Sequence, residues 1–378
     1  MVDTSVKVLQ ALAAGRFDFA MTLCNQQLLW GNLDEAEAAF RQLGAHPAAS
    51  LLSHCRVAQI ARRKRALQKP VAGKRSTNDS QPWSIVWQAP REPAGGIVRF
   101  LLGGVEIAEE IDDFDVNAPE QHLYSKFARR MIVVDHVLRS KKSVEYYTRA
   151  SRDCERVILI HLADELYADP QELYLLVDLV IRNYHLPVSG YSEVISFPLG
   201  DNSSIDFPDV DANKPLPERE YWWSFVGDIS KKPHRESAIM PFQNVPRGFL
   251  YTVHGFHSPD KLSALDYREI LSDTVFAVCP SGFCGSDTFR FWEALEFGAI
   301  PLILDREWHY FQRLCQESVP VPHFESWQDA AIFAREISED TNVLMQLENT
   351  VRTWWRAKKT RWKLDVAAAI KAVDSRLY

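Results

Sequence analysis

The segment from residue 273 to residue 305, DTVFAVCPSGFCGSDTFRFWEALEFGAIPLILD, leaves little freedom in how the chain around it folds. Residues 274–279 are a short apolar run of β-branched and aromatic side chains, the composition of a strand buried on both faces. Pro280 ends that run. Residues 281–285 follow with two glycines, which permit close backbone approach or positive φ. Ser286 or Asp287 has the side chain to cap a following helix, and Gly298 stands where a left-handed glycine would stop it. Residues 300–304 read as the next strand, with Pro301 acceptable only near its start or at an irregular pairing. Strand, helix and strand in this order form the repeating unit of a parallel sheet.

A loop that runs into a helix N-terminus offers unpaired N–H groups and the positive end of the helix dipole to phosphate. Arg290 and Glu293 stand three apart and are neighbours on that helix. An arginine in the first turn can neutralise a diphosphate, and a carboxylate one turn deeper can accept hydrogen bonds from a ribose diol. The same residues suit an ordinary β-α-β unit carrying a surface Arg–Glu pair, since glycine loops before helices are common.

The string CPSGFCGSDTFRFWEALEFGAIPLI resembles the C-terminal signature of the exostosin-like glycosyltransferases, an inverting family with the two-domain GT-B fold. Pro280, Thr288, Phe289, Arg290, Glu293, Gly298 and Pro301 carry the resemblance, which extends more weakly over residues 156–305. It implies a nucleoside diphosphate sugar as donor, with UDP the expected nucleotide, a glycan hydroxyl as acceptor, and neither a metal ion nor a separate cofactor. The donor would be held by Gly227, Arg235, Ser281, Gly282, Ser286, Asp287, Thr288, Arg290 and Glu293. Tyr267 and Arg268 fall where the family contacts the base, although a helix surface explains them equally well. The HLADE string at 161–165 is similar to the family's H-L-S-D-E. Inverting transfer needs a group to take the acceptor hydroxyl proton; Glu165 is the preferred candidate and Asp164 the second, with helix capping equally open to Asp164. His161 reads as a satisfied buried histidine.

The chain has 378 residues, enough for two domains and an appendage. Its formal net charge of −7 and lack of a basic stripe argue against nucleic acid as a partner. No apolar run approaches a bilayer span and no signal-peptide pattern opens the chain. A cytoplasmic enzyme, at most peripheral to the membrane and building a surface polysaccharide or glycoconjugate, is expected; this departs from the membrane-anchored eukaryotic members of the family it resembles. Six cysteines lack metal-ligand spacing and read as free thiols.

Residues 1–68 read as helical throughout. Gly31, Leu33, Ala36, Ala39, Phe40 and Pro47 sit near the positions of a tetratricopeptide-type hairpin. About one and a half such units are too few for a self-sufficient solenoid, so these helices must pack on the catalytic body or on another chain, a protein partner or a second copy. Arg62, Arg63, Lys64 and Arg65 read as a solvated last turn, with a polyanion contact as the alternative. Residues 69–82 are a polar linker.

From 83 to 215 strands alternate with helices: 84–88, 131–134, 157–161, 178–182 and 193–197 are the strand candidates of an acceptor-binding domain. Gly95 and Gly96 follow the first of them. The strings IRNYH (Arg182, Asn183, Tyr184) and FPLG (Pro198, Leu199, Gly200) also resemble the family, which implies a place at the interdomain crevice. Residues 201–220 mark the boundary; their Asp209 and Asp211 imitate a metal-binding Asp-x-Asp, but in a proline-flanked loop rather than after an apolar strand. The donor domain, 216–340, opens with strand 222–226, Gly227 and a helix bearing Arg235, with Lys231 and Lys232 as weaker phosphate candidates. A strand at 249–253 and helices at 262–271 and 327–337 complete it. The last segment, 341–378, is helical over 342–363 and expected to cross back to the first domain, with Trp354, Trp355 and Trp362 packing on one side. A nucleotide-sugar epimerase on the same fold and a non-catalytic scaffold of a glycan-assembly complex are the rival readings.

Overall fold

The computed structural model describes residues 4–14, 16–29, 33–44, 46, 50–68, 82–91, 95–112, 129–139, 141–185, 193–200, 214–229, 233–255, 258–282, 285–337 and 340–375. Two parallel sheets dominate it. The first holds β1 (Trp83–Trp87), β2 (Ile107–Asp112), β3 (Arg130–Asp135), β4 (Arg156–His161), β5 (Leu179–Arg182) and β6 (Val194–Ser196), in the order β2-β1-β3-β4-β5-β6. The second holds β7 (Tyr221–Asp228), β8 (Gly248–Val253), β9 (Thr274–Val278), β10 (Ile300–Leu304) and β11 (His323–Phe324), in the order β11-β10-β9-β7-β8. These are the two Rossmann-like domains of a GT-B fold, as expected.

The central strands are buried on both faces, which is why they read as unbroken Val, Ile and Leu runs. Two strands escaped that signal. β2 carries Glu109, Glu110 and Asp112 and is largely exposed. It exists because main-chain pairing to β1 at the sheet edge needs no apolar side chains. Arg91 then neutralises two of its acids, with Nη1 2.6 Å from Glu110 Oε2 and Nε 2.7 Å from Asp112 Oδ1. β11 is only two residues long and pairs with Ile303 and Leu304. Pro301 pairs only with β9, near the start of β10 and before β11 joins, where its missing N–H removes no ladder bond.

Twelve α-helices accompany these sheets among the described residues. They are α1 (Thr4–Ala13), α2 (Phe17–Leu29), α3 (Leu33–Leu43), α4 (Ser50–Gln68), α5 (Gly95–Leu102), α6 (Lys141–Asp153), α7 (Pro233–Ile239), α8 (Ala264–Ser272), α9 (Phe289–Glu296), α10 (Asp305–Cys315), α11 (Trp327–Glu336) and α12 (Thr341–Ser375). The first four pack around Val8, Ala20, Ala36, Phe40 and Leu43. They are fastened to the first sheet by α4, whose Leu51, Leu52 and Cys55 join the core behind β3 and β4. Arg62 adds Nη2 bonds to Asp178 Oδ2 at 2.5 Å and to the Glu155 carbonyl at 3.0 Å, and Lys64 pairs with Asp34 and Glu37. Arg65 Nη2 reaches the Ser151 carbonyl at 3.4 Å, so the basic run is an internal fastening at three of its four positions. Gly31 and Pro47, on which the hairpin resemblance partly rests, lie outside the described residues.

At the other end, α12 is longer than the amphipathic pattern suggested. Trp355 and Trp362 are buried against Trp292 of α9, with ring centroids 5.4 and 5.8 Å away. Lys359 bonds Glu296 of the second domain and lies 5.2 Å above the Phe100 ring of the first. The tryptophans are core, not a sugar platform.

Candidate functional site

A cavity of about 500 Å³ lies between the domains. Glu165, Tyr184 and Leu199 line it from the first domain, beyond the carboxyl ends of β4, β5 and β6. From the second come Gly227 and Asp228 at the end of β7, Arg235 of α7, Tyr251 and Val253 of β8, Lys261 and Tyr267 around the start of α8, and Gly282, Asp287, Thr288, Arg290 and Glu293 after β9. Both sheets thus present their carboxyl ends to one crevice, where open α/β sheets bind ligands.

The start of α9 faces this cavity. Its N-cap is Thr288, which makes no side-chain cap bond, rather than the expected Ser286 or Asp287. Asp287 is used differently. It accepts the Trp292 indole N–H at 2.5 Å, the Leu199 amide at 3.2 Å and the Tyr310 hydroxyl at 3.4 Å. The Leu199 bond crosses between domains, and so does the one from the His185 amide to Tyr310 Oη, 2.9 Å. Burial outweighs these three donors and pushes the Asp287 carboxyl up to about 7. Gly298, with φ +71°, stops α9 as anticipated.

Arg290 donates from Nε and Nη2 to the Val226 carbonyl at 3.1 and 2.9 Å, and its guanidinium lies 4.3 Å from the Phe225 ring centroid. A Cβ at Gly227 would overlap Arg290 Nη2, so a side chain there would push the guanidinium off its present position. Arg235 donates from Nη1 to the Asp228 carbonyl at 2.7 Å and from Nε and Nη2 to the Ser281 carbonyl, both 3.3 Å. Burial, and next the charge of Arg290, pull Arg235 down to about 10, which still leaves it charged at neutral pH. Glu293 is 4% exposed and accepts the Tyr267 hydroxyl at 2.7 Å.

Of the two candidate carboxylates, only Glu165 lines the cavity. Its Oε1 accepts the Gly285 amide at 3.1 Å, across the domain gap. Asp164 is 2% exposed and works inside its own loop, accepting the Ala168 and Asp169 amides at 2.9 and 3.3 Å and Arg182 Nη2 at 3.2 Å. His161 has both ring nitrogens engaged, with Tyr174 Oη at 2.7 Å and Asp169 Oδ2 at 3.0 Å. Ala163, Tyr167 and Tyr184 all hold left-handed backbone, with φ of 65°, 51° and 54°. Non-glycine residues in that region cost energy and concentrate at working sites. Ala163 and Tyr167 flank Glu165 in the loop after β4, and Tyr184 lines the cavity after β5.

Ser281 and Ser286 do not line the cavity. Ser281 instead holds its wall, giving its carbonyl to Arg235 and its Oγ to Arg306 Nη2 at 2.7 Å. Cys284, Lys231, Lys232, Asp209 and Asp211 lie outside the described residues. Sequence reasoning passed over Asp228, Tyr251, Val253 and Lys261. The rule that ligands sit beyond carboxyl strand ends singles out Asp228 and Val253 once β7 and β8 are assigned.

The family model described as "RXYLT1 C-terminal domain" matches residues 205–371, less than half of the chain. Among solved structures, an O-GlcNAc transferase mutant from Thermobaculum terrenum superposes with a TM-score of 0.51 at 12% identity, covering 99% of this chain and 86% of that one. An α1,3-fucosyltransferase follows at 0.47 and 12%, covering 79% and 92%. A DNA-modifying β-glucosyltransferase gives 0.47 and 13%, covering 77% and 100%. At these identities the likeness is one of fold. No curated protein matches the chain.

Proposed function

We propose that the protein is an exostosin-like, inverting glycosyltransferase that moves a sugar from a UDP-linked donor to a glycan hydroxyl, in the cytoplasm and in the synthesis of a surface polysaccharide or glycoconjugate. One observation carries this reading. Arg235, Arg290 and the N-terminus of α9 line one cavity from the second domain, and Glu165 lines it from the first. Two like charges in one half-buried space repel, and an anion placed beside them relieves that repulsion. A diphosphate suits the site in charge and in hydrogen-bonding valence.

In the reaction the acceptor oxygen attacks the anomeric carbon as the bond from that carbon to the β-phosphate oxygen breaks. The leaving UDP keeps the electron pair, and the acceptor proton passes to Glu165. Arg290, Arg235 and the α9 amides stabilise the charge that builds on the leaving diphosphate, so the proposed mechanism calls on no metal ion. Glu293, deeper on α9, meets the ribose hydroxyls.

Calorimetry with UDP and measurement of UDP release from UDP-sugars test the assignment. Arg290→Ala should weaken UDP binding by tenfold or more, about 1.4 kcal/mol. Glu165→Gln should hold UDP as wild type does while turnover falls by about 100-fold or more. Unchanged UDP affinity in Arg290→Ala would remove that residue from the site, and release of an epimerised sugar without acceptor would point to the epimerase instead.

A further inference from the structure

Tyr267 contributes a hydroxyl to this site that the mechanism above leaves without a task. It stands one turn into α8, whose start is set by the Ser263 cap accepting the Asp266 amide at 3.1 Å. That cap turns Leu262, Ala264 and Tyr267 toward the cavity. The phenol donates to Glu293 Oε2 at 2.7 Å. Burial, with the Glu293 carboxylate next, pushes its ionisation well above the usual phenol range, so it stays a donor.

Glu293 has a competing partner within reach. Arg290 is three residues earlier on the same helix, a spacing at which opposite charges pair readily. Yet the two side chains go separate ways, Arg290 to the Val226 carbonyl and the Phe225 ring, Glu293 to Tyr267. We propose that Tyr267 is a positioning residue: its hydroxyl holds the Glu293 carboxylate at the ribose side of the cavity and out of an ion pair with Arg290. This rests on the nucleoside diphosphate reading of the site and adds the group that sets its selectivity for a ribose bearing both hydroxyls.

The test is a preference ratio. Affinities of UDP and GDP, each beside its 2′,3′-dideoxy form, are measured by calorimetry for wild type, Tyr267→Phe, Glu293→Gln and the double variant. Wild type should favour the ribonucleotide by about tenfold. Tyr267→Phe should shrink that preference at least threefold, mainly by weakening the ribonucleotide, and the double variant should be no worse than Glu293→Gln alone. A loss of packing would weaken both members of a pair alike and leave the ratio unchanged. A wild-type ratio retained by Tyr267→Phe, with ribonucleotide binding intact, overturns the role of Tyr267 alone. Wild type that binds neither ribonucleotide takes down the nucleotide reading and this proposal together.

Discussion

At Asp287 two influences oppose each other, and pH separates them. Three donors favour the carboxylate, but burial favours the acid and carries its ionisation to about 7. Below about pH 4 the folded and unfolded chains both hold the proton, and the residue adds no slope. Between about 4 and 7 the unfolded chain has lost the proton while the folded one keeps it, so stability falls as pH rises, by about 4 kcal/mol in all. Asp287→Asn removes that slope. Its cost in urea denaturation should therefore be largest at about pH 4 and below, and shrink steadily toward pH 7.5. A cost that grows with pH would show the three donors winning. Residue identity alone shows none of this: an aspartate before a helix reads as a cap, and the Trp292 indole, the Leu199 amide and the Tyr310 hydroxyl give it another use.

Among elements, α4 and β2 show where local patterns stop short. The basic turn of α4 looks solvated in sequence, yet Arg62 crosses to a nearly buried carboxylate, Asp178, on the first domain. Removing a partner from such a pair leaves an uncompensated buried charge, so Arg62→Met should cost about 3 kcal/mol. Urea denaturation should register the loss, and limited proteolysis should cut first between α4 and β1. A loss under about 0.5 kcal/mol would assign the docking to Leu51, Leu52 and Cys55 instead. By contrast β9, α9 and β10 were legible almost to the residue, because a doubly buried strand, a stopping glycine and an early-strand proline each have a local cause.

On the scale of the molecule, α12 is the brace that makes one body of two domains. Trp355 packs on Trp292, which in turn donates its indole N–H to Asp287 at the cavity. Trp355→Ala should lower stability by about 3–5 kcal/mol and, by releasing Trp292, weaken UDP binding as well. Denaturation midpoints and calorimetry on the same samples check both halves; lost stability with unchanged UDP affinity would sever the brace from the site. Residue order was enough to establish two parallel-sheet domains, a helical N-terminus and a loop-to-helix element suited to an anion, since periodicity, glycine placement and charge act over a few neighbours. Which carboxylate reaches the cavity, why Asp287 does not cap α9 and what holds Glu293 depended on contacts between residues far apart in the chain. The Glu165–Gly285 and Leu199–Asp287 contacts arise where the two domains meet, and the Tyr267–Glu293 contact where two helices of the second domain pack; no local pattern encodes either.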